Sequence, residues 1–229
     1  MKYFRALLYM LSTLLFYLGL TLVGWGLDDI PGFFSMPPRL GYSVVVLLFS
    51  LAIGYQAIDT PEAISGSKGD ESRLVHRQLV LGQVLVIILY AAMYLLPFFD
   101  QRGIAILDVG QAFRWLGTGL CAFGYLLIFW SGWALGRMYS PHVTIQPDHQ
   151  LITSGPYQVI RHPRYLGVLL LSLGMSCLFR SWVGLLMIVP VAAILLPRIN
   201  DEEALLKAEF GPGWQDYCQK TWKLLPYIY

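Results

Sequence analysis

Tyr165–Leu196 reads Y-L-G-V-L-L-L-S-L-G-M-S-C-L-F-R-S-W-V-G-L-L-M-I-V-P-V-A-A-I-L-L, apolar throughout except at Phe179-Arg180-Ser181-Trp182. A helix crossing a bilayer needs roughly 20 mostly apolar residues, because backbone groups cannot stay unpaired in hydrocarbon. This run is too long for one crossing and is broken at its centre. It therefore predicts a tight helical hairpin whose tip places Arg180 and Trp182 at the membrane interface. Pro190 is expected to kink the returning helix without ending it, since neighbouring helices can satisfy the freed carbonyl.

Upstream, four further stretches have the length of a span: about Ala6–Leu27, Leu40–Ile58, Leu79–Phe99 and Phe113–Gly136. Lys2 and Arg5 before the first resemble a signal-peptide start, but the apolar run exceeds the usual 7–15 residues and no A-x-A site follows. An uncleaved first span is expected. The fold class is thus all-α integral membrane, a bundle of five or six spans ending in the hairpin. Composition agrees: 56% of residues are hydrophobic and 13% charged, where about 25% charged is usual, and the mean hydropathy is +0.58. Such a chain cannot clothe itself in polar surface, which excludes a soluble enzyme and a disordered protein. A net charge of +2 leaves no footprint for nucleic acid.

Basic residues divide unevenly between the loops. One side holds Lys2, Arg5, Lys68, Arg73, Arg77, Arg137, Arg161, Arg164, Arg198, Lys207, Lys220 and Lys223, and the other holds Arg39, Arg102, Arg114 and Arg180. That bias puts both termini, and the long polar segments 59–78, 137–164 and 198–229, in the cytoplasm. No acidic or basic residue lies deep in the first four spans, unlike an ion pump or proton-coupled transporter. Gly132 and Gly136 form a G-x-x-x-G, read as close helix packing.

The chain divides into N-terminal spans, 1–136, and a C-terminal segment, 137–229, that gathers the chemistry. Between Tyr139 and Tyr165, Pro141, Pro147, Pro156 and Pro163 forbid a continuous helix and predict an ordered loop at the membrane surface. The spacing of His142, His149 and His162 fits no common ligand pattern and no cysteine joins them, so no metal is expected. Cys121, Cys177 and Cys218 show no C-x-x-C spacing. Past the hairpin, Arg198 and Glu202 are four apart and share a helix face; Glu202-Glu203 on their own read first as a solvated helix start. Trp214, Tyr217, Cys218, Thr221 and Trp222 recur at helical spacing opposite Gln, Asp and Lys. They predict a cytoplasmic amphipathic helix along the membrane, a shelf over a site that opens into lipid.

The run H-Q-L-I-T-S-G-P-Y-Q-V-I-R-H-P-R-Y-L-G (His149–Gly167), a hydrophobic hairpin, then R-I-N-D-E-E-A-L-L-K-A-E-F-G-P-G-W-Q-D-Y (Arg198–Tyr217) resembles the isoprenylcysteine carboxyl methyltransferase family. That family sits in a wider group of membrane methyltransferases acting on phospholipids and small thiols. The resemblance covers roughly Ser140–Pro226. It implies an enzyme dependent on S-adenosyl-L-methionine without a Rossmann domain, and the polar segments indeed contain no strand–glycine-loop–helix unit. Carried onto this sequence, it implies that His149 and Leu151 hold the adenine end, that Gly155 and Tyr157 line the pocket, and that Arg161, His162, Pro163 and Tyr165 form its membrane-side wall. Glu202 and Glu203 would meet the ribose hydroxyls or the methionine ammonium. A carboxylate acceptor is already ionised at neutral pH and needs a cation to orient it. Arg161, which looks unpaired in the sequence, is expected to do so through its planar fork, with Arg198 second. The expected reaction is carboxyl O-methylation of an isoprenylcysteine-like or other lipophilic acceptor at the cytoplasmic face of a prokaryotic cell membrane rather than the endoplasmic reticulum. The alternatives are S- or N-methylation of a small thiol, whose thiolate Arg161 and His162 would favour, or of a phospholipid. A membrane scaffold or small-solute transporter is the alternative outside enzymes.

Overall fold

The computed structural model describes residues 2–60, 64, 76–140 and 150–227. Among them the architecture is helical: α1 (Lys2–Trp25), a short α2 (Ile30–Ser35), α3 (Pro37–Asp59), α4 (His76–Arg102), α5 (Gln111–Leu135), α6 (Pro163–Leu178), α7 (Trp182–Phe210) and α8 (Pro212–Lys220). Five helices (α1, α3, α4, α5 and α7) are long and apolar enough to span a membrane. The protein is an all-α, multi-pass membrane bundle. Its outer faces carry exposed Leu48, Ile87, Leu126, Leu186 and Val189, apolar side chains that water would penalise and lipid accepts.

The hairpin forms as expected, with unequal arms. α6 has 16 residues, about 24 Å at 1.5 Å per residue, short of the roughly 30 Å of hydrocarbon. It is buried among protein instead, with Leu166, Leu171, Met175 and Leu178 all inside. α7 has 29 residues, about 43 Å, so its last turns leave the hydrocarbon and carry Glu202 and Glu203 beyond it. Pro190 and Pro197 both lie within this helix, and it runs through each.

Glycine sets the α5–α6 contact, but not the pair singled out in the sequence. Gly117 and Gly124 on α5 face Gly174 and Gly167 on α6, seven residues apart on each helix. A Cβ at Gly124 would lie 2.8 Å from the Gly167 carbonyl oxygen, and one at Gly174 2.7 Å from the Cys121 nitrogen. The backbones touch, and no side chain could bend away. Gly174→Leu should therefore force the helices apart at a cost of about 3 kcal/mol, the upper part of the range for overpacked cores. Its thermal unfolding in detergent should fall by roughly 6–12 °C, and an unchanged transition would refute the contact.

The core joins the two parts of the chain: Trp25, Phe33, Tyr42, Phe49 and Met93 pack with Tyr125, Leu171 and Phe179. At the end away from the long polar segments, one buried carboxylate gathers three arginines. Asp100 accepts from both terminal nitrogens of Arg114, at 2.7 and 2.8 Å, and from Arg180 Nη2 at 3.0 Å, with Arg39 at 3.8 Å. Arg39 also stacks on Trp25 at 3.9 Å and donates to the Gly32 carbonyl at 3.0 Å. Arg180, expected at the membrane interface on the hairpin tip, is partly withdrawn from solvent by this ion pair.

Candidate functional site

At the opposite end, the irregular segment from Gln150 to His162 meets the ends of α5 and α7 and the start of α6. Gly155 adopts φ +60°, a conformation open to glycine, and turns the chain so that Pro156 and Tyr157 are buried. A Cβ at Gly155 would lie 3.2 Å from Trp130 Nε1. Gly155 therefore fits the turn against α5 and does not line the site. Pro163 opens α6, buried in its first turn.

A cavity with about 900 Å³ of empty space, its mouth included, lies among these elements. Of the residues named in the sequence, Leu151, Tyr157, Arg161, His162, Tyr165 and Glu202 line it. His149 falls outside the described residues, with the rest of 141–149. Met138, Tyr139, Gln150, Ile152, Arg164, Leu205, Leu206, Trp214 and Tyr217 complete much of the wall. Trp214 and Tyr217 come from α8, which does cover the site as a shelf. The shelf differs from the expected one: the helix ends at Lys220, and both aromatic rings are buried against protein. Tyr217 donates its phenol to the Tyr157 carbonyl at 2.8 Å. Burial pushes the Tyr217 phenol up to about 12 and raises that of Tyr157 further, so both remain protonated donors at neutral pH.

Adjacent helical residues point about 100° apart, and the paired acids accordingly diverge. Glu202 faces the cavity, where its Oε2 accepts from the Tyr165 hydroxyl at 2.7 Å. That hydroxyl in turn accepts from Arg198 Nε at 3.1 Å, while Arg198 Nη1 donates to the Gln78 carbonyl at 3.1 Å. Arg198 thus reaches the site through Tyr165, and a Gln78–Asp201 hydrogen bond reinforces the same α4–α7 junction.

Glu203 turns away from the cavity toward the C-terminal segment. Its Oε1 accepts from Arg161 Nε at 3.0 Å and lies 3.1 Å from His162 Nε2, while Lys223 Nζ is 3.3 Å from Oε2. Arg161 also donates through Nη1 to the carbonyls of Cys218 and Thr221. The expectation of an unpaired Arg161 is therefore corrected: its Nε and Nη1 engage a carboxylate and two carbonyls. Backbone pairing completes the joint, with Arg161 N–H to the Trp222 carbonyl at 2.8 Å and Trp222 N–H to the Val159 carbonyl at 2.9 Å. Long-range pairing of this kind, through carbonyls 57 and 60 residues away, has no local signature.

Arg164 is the residue that sequence reasoning passed over. It occupies the second position of α6, after Pro163, where the helix dipole disfavours a cation. That misplacement was the available signal. Its guanidinium lies 4.4 Å from the Tyr139 ring centroid.

Residues 115–208 match the profile of the isoprenylcysteine carboxyl methyltransferase (ICMT) family. A protein-S-isoprenylcysteine O-methyltransferase of Schizosaccharomyces pombe is 35% identical over 82 residues, covering 35% of this chain and 35% of that protein. Protein-S-isoprenylcysteine O-methyltransferase B of Arabidopsis thaliana is 31% identical over 96 residues, 41% of this chain and 49% of its own length. A Delta(14)-sterol reductase of Mus musculus is 31% identical over 83 residues, 35% of this chain and 20% of its own. The chain spans half or less of these relatives, and their names cover two kinds of reaction. The likeness drawn from the R-H-P-R-Y and D-E-E motifs is borne out. Residues 115–208, from the first turns of α5 to the last of α7, are the part of the chain that is similar to the isoprenylcysteine carboxyl methyltransferase family.

Proposed function

We propose that the protein is a membrane methyltransferase using S-adenosyl-L-methionine, and that it methylates the carboxylate of a lipophilic, isoprenylcysteine-like acceptor. The observation that carries this reading is the cavity behind the family's motif, where Glu202 and the cations Arg161 and Arg164 stand among aromatic and aliphatic side chains.

The residues suit that cofactor. Glu202 supplies a carboxylate acceptor for ribose hydroxyls or an ammonium, held in position by Tyr165 and, behind it, Arg198. Gln150–Ile152 are irregular. No backbone hydrogen bond engages them among the described residues, which leaves peptide groups to pair with a base edge. Leu151, Leu205 and Leu206 offer the apolar faces against which a purine would stack. The bound cofactor would supply a methyl on a sulfonium, for which an ionised carboxylate is a sufficient nucleophile without a general base. The chain's own contribution is alignment and the exclusion of water, which the shelf of Trp214 and Tyr217 provides. Arg161 and Glu203 serve this site by fixing the C-terminal segment. The count of basic residues supports a cytoplasmic mouth.

Calorimetry with S-adenosylhomocysteine on detergent-purified protein tests the reading, with a nicotinamide dinucleotide as the contrasting ligand. Glu202→Gln should weaken S-adenosylhomocysteine binding about ten- to a hundredfold, through loss of a charge-assisted hydrogen bond worth about 1.5–3 kcal/mol. Binding of the dinucleotide instead, or parental affinity in the variant, would overturn it. Incubation with radiolabelled cofactor and either S-prenylated cysteine, phospholipid or thiol pools distinguishes O-, N- and S-methylation.

A further inference from the structure

A second cavity, with about 550 Å³ of empty space, lies inside the bundle between α1, α3 and α5. Tyr17, Phe49, Ile53 and Ile128 make it mostly apolar and aromatic. Two of its lining residues, Tyr139 and Arg164, also line the first cavity, so these side chains form the wall that the two cavities share. Arg164 has no hydrogen-bond or ion-pair partner among the described residues, and its guanidinium lies over the Tyr139 ring. Arg161, by contrast, is engaged through Nε by Glu203 and through Nη1 by two carbonyls. The second cavity holds another unsatisfied donor. Gln56, in the last turn of α3, is 1% exposed, and its Nε2 finds no partner among the described residues. A buried amide donor left unpaired is costly unless something else accepts from it.

We infer that Arg164 is the acceptor-orienting residue: it holds the acceptor's carboxylate at the shared wall, while the acceptor's lipophilic body occupies the second cavity and presents an oxygen to Gln56. This rests on the methyltransferase reading. It narrows the acceptor to an amphiphile with a terminal carboxylate and a carbonyl or ether oxygen along its body, and distinguishes it from a plain fatty chain. The chemistry suits a guanidinium that orients without donating a proton. A carboxylate oxygen forms the new O–CH₃ bond as the S–CH₃ bond breaks, and that bond's electron pair stays on sulfur. The carboxylate charge and the sulfonium charge both disappear, and no proton moves. Because the acceptor's charge diminishes in the transition state, a facing cation stabilises the bound acceptor at least as much as the transition state. Its loss must then appear in KM more than in kcat.

The test uses S-farnesyl-N-acetylcysteine carrying an ether oxygen within its farnesyl chain, and the carboxamide of the same compound, as binding probes on the full-length protein in detergent, with S-adenosylhomocysteine titrated separately. The parent should prefer the carboxylate about ten- to a hundredfold. Arg164→Gln should lose that preference and raise the KM for the carboxylate similarly, while S-adenosylhomocysteine binds as in the parent. Arg164→Lys should retain part of the preference, because charge survives and the planar fork does not. Gln56→Leu should weaken both probes about two- to tenfold and leave the preference intact. A preference that persists in Arg164→Gln overturns the assignment, as does one that vanishes in Arg198→Gln with Arg164 intact. Unchanged affinity in Gln56→Leu overturns the role of the amide. Failure of the parent to bind S-adenosylhomocysteine would sink the methyltransferase reading instead, and the two failures are read on different ligands.

Discussion

Glu203→Ala should lower the melting temperature in detergent by roughly 6–12 °C and release the C-terminal segment from the bundle. Removing one partner of a buried ion pair costs about 3–5 kcal/mol, because the other partner is left charged and unpaired. The lower end applies here, since the Glu203 side chain is 19% exposed; for a chain of this length each kcal/mol corresponds to roughly 2–4 °C. Arg161, His162 and Lys223 all converge on this carboxylate, and Arg161 is also what holds the carbonyls of Cys218 and Thr221. Hydrogen exchange at 218–224 should therefore rise in Glu203→Ala before the rest of the protein opens. Glu203→Gln, which keeps an acceptor oxygen but no charge, should fall between. Glu202→Gln should show the opposite pattern, losing cofactor affinity with little change in melting. If Glu203→Ala melted with the parent, the carboxylate would not be the joint that the geometry makes it.

That contrast shows where the sequence is legible. Both acids stand in one motif, and a motif carries no direction; only the 100° step between neighbouring helical residues, taken with the placement of the tail, sends Glu202 to the cavity and Glu203 to Arg161. The spans were readable because burial in lipid imposes length and composition on every helix, and α1, α3, α4, α5 and α7 obey both. α6 was readable as a hairpin arm, while its 16-residue length reflects a helix wrapped by protein, which hydropathy does not separate from one wrapped by lipid. The cavity residues Leu151, Tyr157, His162 and Tyr165 could be named because they stand in the motif that carries the family resemblance. Tyr139, Leu205 and Leu206 could not, since cavity walls assemble across elements and apolar wall residues look like any other apolar residue. Trp214 and Tyr217 gave the right periodicity and the wrong partner: amphipathic spacing fixes which face is apolar, not whether lipid or protein covers it.

Asp100→Ala should be the most damaging single change, destabilising the protein by about 5 kcal/mol and lowering its melting temperature by roughly 10–20 °C. The Asp100 side chain is 1% exposed and that of Arg114 5%, so neither water nor lipid headgroups can replace what is lost. Two forked nitrogens of Arg114, the Nε and Nη2 of Arg180, and the nearby Arg39 would face one another without an anion. Arg114 would keep its bond to the Leu178 carbonyl at 2.6 Å, and Arg39 its bond to Gly32; neither neutralises a charge. The cluster ties α3, α4 and α5 to the hairpin tip, so its failure should splay the end of the bundle far from the cavity. Asp100→Asn should recover part of the loss, since the amide oxygen still accepts while the charge is gone. Because repulsion among the arginines drives the effect, Arg180→Gln in the Asp100→Asn background should raise stability, although Arg180→Gln alone lowers it. Double-mutant analysis by thermal unfolding measures that reversal of sign. Additive losses in the double variant would mean that the arginines are held by packing, and that Asp100 is one acceptor among several.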